Sequence, residues 1–267
     1  MRITVNGETV DVTRYATYHA RRFRMTLDLL KRLGGGRVLE LGGHPWAMTA
    51  LMADEPGLEV AGSVSAEEIT AWPEDFPVQR HDYELGTPGG RTIRFTNYSA
   101  NIERTSFTMD VSADIVIASE IIEHLVRAPH RMMLNINAWL PVGGRVVLTT
   151  PNGAHFTNPL RLKPRMPAYR DSIYGRHNYV YTMDGLADLV TTCGFAVEET
   201  TYWSPYPRGG ASAIYDLFRR MPGSYMTQKF SQSLVVVARK TEDRATASRL
   251  PRVYVPGNMW ELIDGVG

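Results

Sequence analysis

The sequence predicts an α/β fold: a doubly wound, mostly parallel sheet with helices on both faces. Three observations predict it. Short apolar strands at 37–41, 58–64, 92–96, 114–119 and 145–150 alternate with helical segments, the pattern of a parallel sheet. The strand at 37–41 runs into a two-glycine bend followed by a helix, a turn that lets a ligand approach the backbone closely. Polar residues gather where these strands end, the edge at which open α/β sheets bind ligands. They are Glu40 and Gly42, Ser63, Asn97, Ser119 and Glu120, and Thr150 and Asn152.

The elements follow in order. Residues 2–12 alternate around Asn6-Gly7, the signature of a hairpin with a type I′ turn. Residues 14–33 form a helix, with Phe23, Leu27, Leu30 and Leu33 at helical spacing and three glycines, 34–36, as its stop. Its first turns carry Tyr15, Tyr18, His19, Arg21 and Arg22, which either cover a ligand mouth or form a solvated face. The stretch Arg37-Val38-Leu39-Glu40-Leu41-Gly42-Gly43-His44 is the strand and bend, and a helix follows over 46–53. The helix start offers unpaired N–H groups and a partial positive charge. Neither G-x-G-x-x-G nor G-x-x-x-x-G-K-[ST] is present.

Trp72-Pro73 and Phe76-Pro77 mark an irregular connection before the strand at 92–96, which ends at Asn97-Tyr98. After the strand at 114–119, a helix is expected to start over 120–125 and a second to run over 129–140. Residues 153–180 lack periodicity and carry five basic residues and three prolines, the form of a functional lid. A helix is expected over 182–193, a strand over 197–202, a helix over 214–220 and a β-branched strand over 233–239, paired antiparallel with 197–202. The parsing is therefore a hairpin-and-helix cap at 1–36, a main domain at 37–240 and a C-terminal arm at 241–267.

Composition narrows the function. The 267 residues have 29 basic and 28 acidic side chains, a formal net charge of +1. That balance argues against a protein that lives on nucleic acid or an anionic membrane. One cysteine, Cys193, rules out an internal disulfide and fits a reducing cytoplasm. No apolar run approaches 18 residues, and the first residues do not read as a signal peptide, so a cytoplasmic protein is expected.

Taken in order, these motifs resemble class I S-adenosylmethionine-dependent methyltransferases. Val38-Leu39-Glu40-Leu41-Gly42-Gly43 is similar to the family's first motif. Residues 114–125 resemble its fourth strand and the following helix, and 140–152 the next turn and strand. His177 with Thr182, then Leu186 and Gly194-Phe195, resembles the later helix. The resemblance covers residues 37–240 and implies a Rossmann-like, seven-stranded sheet that binds S-adenosylmethionine. It implies that Glu40, Gly42 and Gly43 hold the methionine end, with Trp46 beside them. Asn97 and Tyr98 would meet the adenine, and Ser119 and Glu120 would lie beneath the sulfonium. One departure stands out. The second strand ends Gly62-Ser63-Val64-Ser65 with no acid for the ribose, so Ser63, Ser65, Glu67, Glu68 or Asp82 must serve.

Glu120, Glu123 and His124 fall at i, i+3 and i+4, so on a helix they share one face. Two carboxylates and an imidazole so placed suit a divalent ion such as Mg²⁺ or Mn²⁺. The pattern resembles the metal-binding E-x-x-E-H of small-RNA 2′-O-methyltransferases and of ubiquinone-pathway O-methyltransferases; the resemblance to the former implies His177, five residues before Thr182, as a further ligand. Without metal, His124 would be the general base, since imidazole titrates near neutral pH. His44 and His155 are further candidates for substrate contact. The expected function is O-methylation of a small-molecule acceptor, first a sugar, because a diol-binding metal and the aromatic residues Tyr169, Tyr174, Tyr202, Trp203 and Tyr206 near the mouth would suit one. The rivals are a polyketide or phenolic acceptor, RNA 2′-O-methylation, and a methyltransferase-like binding protein without turnover. No membrane partner is expected; a homodimer is the expected assembly.

Overall fold

The computed structural model describes residues 1–65, 77–104, 107–125, 128–155, 179–205 and 224–251. Ten strands form one mixed sheet. Strands β1 (Arg2–Val5) and β2 (Glu8–Asp11) make the N-terminal hairpin. Its turn residues Asn6 and Gly7 both have positive φ, 49° and 86°, as a type I′ turn requires. Helix α1 (Thr13–Arg32) leads down to β3 (Gly36–Leu41), and α2 (Ala47–Asp54) leads to β4 (Leu58–Ser65). An antiparallel pair follows, β5 (Gln79–Gly86) and β6 (Thr92–Ser99). Then come β7 (Ile115–Ser119), α3 (Pro129–Trp139), β8 (Arg145–Pro151), α4 (Met183–Thr192), β9 (Phe195–Trp203), α5 (Ser224–Phe230) and β10 (Ser233–Lys240).

The strand order is β2-β1-β5-β6-β4-β3-β7-β8-β10-β9. The seven strands expected within residues 37–240 occur as one contiguous block, β6-β4-β3-β7-β8-β10-β9. The expectation of a mostly parallel, seven-stranded sheet needs correction at the wings. Parallel pairing is confined to β6-β4-β3-β7-β8. The β10–β9 wing is antiparallel, as expected for those two strands. At the other wing β5 pairs antiparallel with β6 and joins the N-terminal hairpin to the sheet. The sequence Gln79–Gly86 hides this strand because only Leu85 is buried there, so no apolar face signals it.

Strict alternation along the strands builds two cores. Val38, Ile115, Ile117, Val147, Val235 and Val237 face α1 and α2, where Phe23, Leu29, Leu30, Met48 and Met52 cover them. Leu39, Leu41, Val116, Ala118, Val146 and Leu148 face α3 and α4, covered by Met132, Met133, Ile136, Leu186 and Leu189. The helices therefore lie on both faces, and α1 is packed on the sheet. The chain after β10 runs back over α3 and α4. Asn137 bonds the backbone of Glu242 and Arg244, and Ser248 bonds Thr192. Lys240 is buried and donates to the Asn137 and Leu140 carbonyls, at 2.6 and 2.7 Å, at the end of α3. An ammonium there meets carbonyls that the helix itself leaves unpaired. Among the described residues no helix is long and apolar enough to cross a membrane.

Candidate functional site

The carboxyl ends of β3, β4, β6 and β7 lie side by side and carry most of the expected site residues. Glu40 is in register with Ser63 on β4, and Ser63 with Asn97 on β6. Side chains paired across neighbouring strands share a face, so Glu40, Ser63 and Asn97 form a row on the α1/α2 face. Gly42, with φ 73°, turns the chain after β3 while its N–H donates to Val64. Gly43 sits where a Cβ would overlap the Ser63 hydroxyl and crowd Glu40 and Thr49. Only glycine lets the bend close this tightly over the row. Trp46, left-handed at φ 58°, then opens α2, with its indole packed on Tyr83, Phe95 and His44.

Several buried polar atoms in this region have no hydrogen-bond partner among the described residues: Ser63 Oγ, Asn97 Oδ1, Ser119 Oγ and Trp46 Nε1. Buried polar groups are satisfied in the great majority of cases, so such a group of orphans marks a place where a polar ligand completes the bonding. Asn97 Nδ2 donates to Ser65 Oγ at 2.9 Å. Of the groups considered for the ribose, Ser63 is buried and lies in the row, whereas Asp82 is exposed and accepts from Thr96. Glu67 and Glu68 lie outside the described residues. Tyr98 is not brought to the row. It points to the opposite face and packs against Phe107.

Glu40 is buried, and Thr49 Oγ1 donates to its Oε2 at 2.5 Å. Burial pushes its pKa up to about 7, against the opposing pull of the Thr49 hydrogen bond and the Arg22 charge.

Beyond β7 the structure differs from the expected helix. Glu120 takes a left-handed backbone, φ 58°, and only a 3₁₀ turn follows, Ile122–His124. A non-glycine residue in that conformation costs about 1–3 kcal/mol and is held by its surroundings. Here Glu120 N–H donates to Thr149 O at 2.9 Å, and Thr149 Oγ1 donates to Glu120 Oε1 at 3.1 Å. Glu120, Glu123 and His124 therefore do not share an α-helical face as expected. Among the described residues no group of three His, Cys, Asp or Glu side chains could hold a metal ion. His177 lies outside the described residues, as do Tyr169, Tyr174, Tyr206 and the expected helix at 214–220. Residues 156–178 of the expected lid also lie outside them.

Glu123 is fully buried, accepts from Thr150 Oγ1 at 3.0 Å and presents Oε1 4.0 Å from His124 Nε2. Burial, and then the charge of Glu120, raise its pKa well above the usual carboxylate value; burial also raises that of Glu120. The His124 side chain remains 36% exposed, so its ring can meet an incoming molecule. Tyr202 lies in β9, within the expected strand; Trp203, expected in a loop, also belongs to β9 and is core. His155 follows Asn152, whose amide is anchored to Gln228 and Ser231.

Arg22, which by sequence either covers a ligand mouth or lies on a solvated face, is buried, with 7% exposed. Its charge acts on Glu40, Glu120 and Glu123 alike. The signal was present in the spacing: Arg22, Thr26 and Leu30 fall four apart on the buried stripe of α1. His19, one turn earlier, is also half-buried, and burial and then Arg22 lower its pKa to about 4.

A sheet of this order, whose middle strand delivers an acid into a two-glycine bend, makes the chain a class I S-adenosylmethionine-dependent methyltransferase. It belongs to the family described as a methyltransferase domain, whose model matches residues 15–200. No curated protein matches the chain. Solved structures do. A complex between the Haloferax volcanii Trm112 methyltransferase activator and a methyltransferase is 12% identical, with 86% of this chain and 93% of that one covered and a TM-score of 0.53. A Galdieria sulphuraria structure described as a sarcosine dimethylglycine methyltransferase is 11% identical, with 85% and 88% covered and a TM-score of 0.52. The Haemonchus contortus phosphoethanolamine N-methyltransferase 2, solved with S-adenosyl-L-methionine, is 15% identical, with 82% and 53% covered and a TM-score of 0.50. At these identities the likeness is one of fold.

Proposed function

We propose that this methyltransferase methylates a hydroxyl of a small molecule, with His124 as general base and without a metal ion. The observation that carries the reading is a partly exposed imidazole 4.0 Å from the buried Glu123 carboxyl, just beyond the end of β7, the strand paired with β3. S-adenosylmethionine, when bound, supplies an electrophilic methyl group. Glu40 and the bend at Gly42 and Gly43 hold its amino-acid end, and the orphaned atoms of Ser63 and Asn97 take the ribose and adenine. Ser119 and Glu120 line the floor near the reacting centre. His124 accepts the proton of the acceptor hydroxyl, and the imidazolium so formed favours the ionised form of the Glu123 carboxyl 4.0 Å away. General-base catalysis of this kind contributes about 10²–10⁴-fold. Alignment of acceptor and donor can supply roughly 7–11 kcal/mol more. Carbohydrate hydroxyls are the first acceptors to assay, followed by phenolic and polyketide hydroxyls. Among the described residues no geometry supports the Mg²⁺ or Mn²⁺ of the E-x-x-E-H resemblance, since Glu120 leaves the helix that would align the ligands.

A second reading has an observation in its favour. Two neighbouring buried carboxyls, Glu120 and Glu123, would suit an ammonium, so an amine acceptor belongs in the same screen. The test has two parts. Calorimetry with S-adenosylmethionine should give saturable binding; none at millimolar ligand would support a binding protein without turnover. Methyl transfer to a panel of polyols, phenols and amines should then persist in EDTA. Activity abolished by EDTA and restored by Mg²⁺ would overturn the metal-free mechanism, and transfer to amines alone would overturn O-methylation.

A further inference from the structure

We propose that Thr150 is a positioning residue of this site: its hydroxyl ties down one oxygen of the Glu123 carboxyl and so keeps the other turned toward the His124 imidazole. The inference rests on the reading of His124 as general base.

Near its carboxyl end β8 carries two threonines in succession, and successive side chains of a strand point to opposite faces. Thr149 Oγ1 donates to Glu120 Oε1 at 3.1 Å, and Thr150 Oγ1 donates to Glu123 Oε2 at 3.0 Å. One strand end thus holds two acidic side chains through separate hydroxyls. The Glu123 carboxyl is buried, and its second oxygen, Oε1, has no hydrogen-bond partner among the described residues. That oxygen lies 4.0 Å from His124 Nε2. The backbone of the turn is held by other groups. Tyr179 N–H donates to Glu123 O at 3.1 Å, His124 N–H donates to Ile121 O at 2.9 Å, and Tyr181 bridges to Asn152 just beyond β8. What is left for Thr150 to decide is how the carboxyl is turned.

The last torsion of a glutamate is broad, so a carboxyl without a fixed partner presents either oxygen. With Oε2 bonded to Thr150, Oε1 remains the oxygen nearer the ring. A carboxyl so placed beside a general-base imidazole holds the ring in its working orientation. The 4.0 Å separation is longer than a hydrogen bond, as such contacts often are before the acceptor arrives. Threonine suits the task because its branched side chain is stiff at χ1 and its side chain is fully buried, away from competing water. The other charged groups that act on Glu123 are Glu120, beyond β7, and Arg22, on α1. Their charges oppose or favour its ionisation without fixing how the carboxyl is turned; the Thr150 bond does fix it.

The experiment compares wild type, Thr150→Val, Thr150→Ser, His124→Ala and the double variant Thr150→Val with His124→Ala. The probes are S-adenosylmethionine and whichever polyol or phenol of the panel above wild type methylates fastest. Thr150→Val keeps the shape and removes the oxygen. Its kcat should fall about 10–100-fold, the order expected when a catalytic group is misplaced. The acceptor KM and the S-adenosylmethionine dissociation constant should stay within about twofold. Thr150→Ser keeps the hydroxyl and should recover most of the rate. In the His124→Ala background the valine change should cost less than about twofold, because residues that act through one another are not additive. A loss that serine does not repair, that persists undiminished without His124, or that falls equally on KM would overturn the inference. So would a Thr150→Val variant as fast as wild type when His124→Ala is slow; the base reading would then stand alone. A His124→Ala variant that turns over like wild type, or a panel in which no hydroxyl is methylated, overturns the base reading and the inference with it.

Discussion

Replacing Glu40 by glutamine should make the ligand-free protein more stable and the cofactor complex weaker. The carboxyl sits buried beneath the bend, with one hydrogen bond from Thr49 and the Arg22 charge nearby, and burial raises its pKa from 4.5 to about 7. That displacement corresponds to about 3 kcal/mol. The sign follows from which state keeps the proton. Below pH 4.5 the carboxyl is protonated in both folded and unfolded chains. Between 4.5 and 7 the folded chain holds a proton that the unfolded chain releases, so stability falls as pH rises; above 7 the whole penalty is present. Glutamine has no such charge. Thermal unfolding without ligand should therefore show no gap between wild type and Glu40→Gln near pH 4.5. At pH 8 the variant should melt higher by about 6 °C, taking the lower end of the usual conversion for a chain of this size. Calorimetry at pH 8 should show the opposite order for S-adenosylmethionine, with affinity down about tenfold, since a neutral amide cannot pair with the ammonium as a carboxylate does. A melting gap that does not change with pH, or a variant that binds the cofactor as well as wild type, would refute the reasoning.

Other outcomes follow from the same structure. His124→Ala should lower kcat by about 10²–10⁴-fold and leave S-adenosylmethionine affinity within about twofold; equal losses in both would make the residue structural. Gly43→Ala would drive a methyl group into Ser63 Oγ beside Glu40. It should cost about 1–3 kcal/mol in denaturant unfolding and weaken cofactor binding, and an unaltered variant would show that the bend is not tight. Lys240→Met leaves the Asn137 and Leu140 carbonyls without their donor at the end of α3. A loss of about 1–3 kcal/mol per unpaired group is expected in thermal melts, with the cofactor dissociation constant unchanged.

The parallel centre of the sheet was legible because its strands are buried on both sides, so Val38-Leu39 and Ile115-Val116-Ile117 read as apolar runs and helices must intervene. The edge was not. Gln79–Gly86 exposes most of its side chains and owes its strand to backbone pairing with β6 and β1, which leaves no pattern in the sequence. The glycine bend and Glu40 were legible because a tight turn demands particular residues. Glu120 was not, because its left-handed backbone is imposed by Thr149 from β8, a partner distant in sequence. With that tertiary contact in place, a 3₁₀ turn stands where a helical face was expected. Arg22 was only half legible: its helix and its stripe were clear, but a single buried arginine declares itself only through the acids it faces.

The most direct measurement is a crystal structure of the protein with S-adenosylhomocysteine. The account expects the amino-acid end over Gly42 and Gly43 beside Glu40, the nucleoside against Ser63 and Asn97, and the sulfur facing His124. Ligand density elsewhere on the molecule, or a sulfur turned away from His124 with Glu40 untouched, would contradict it.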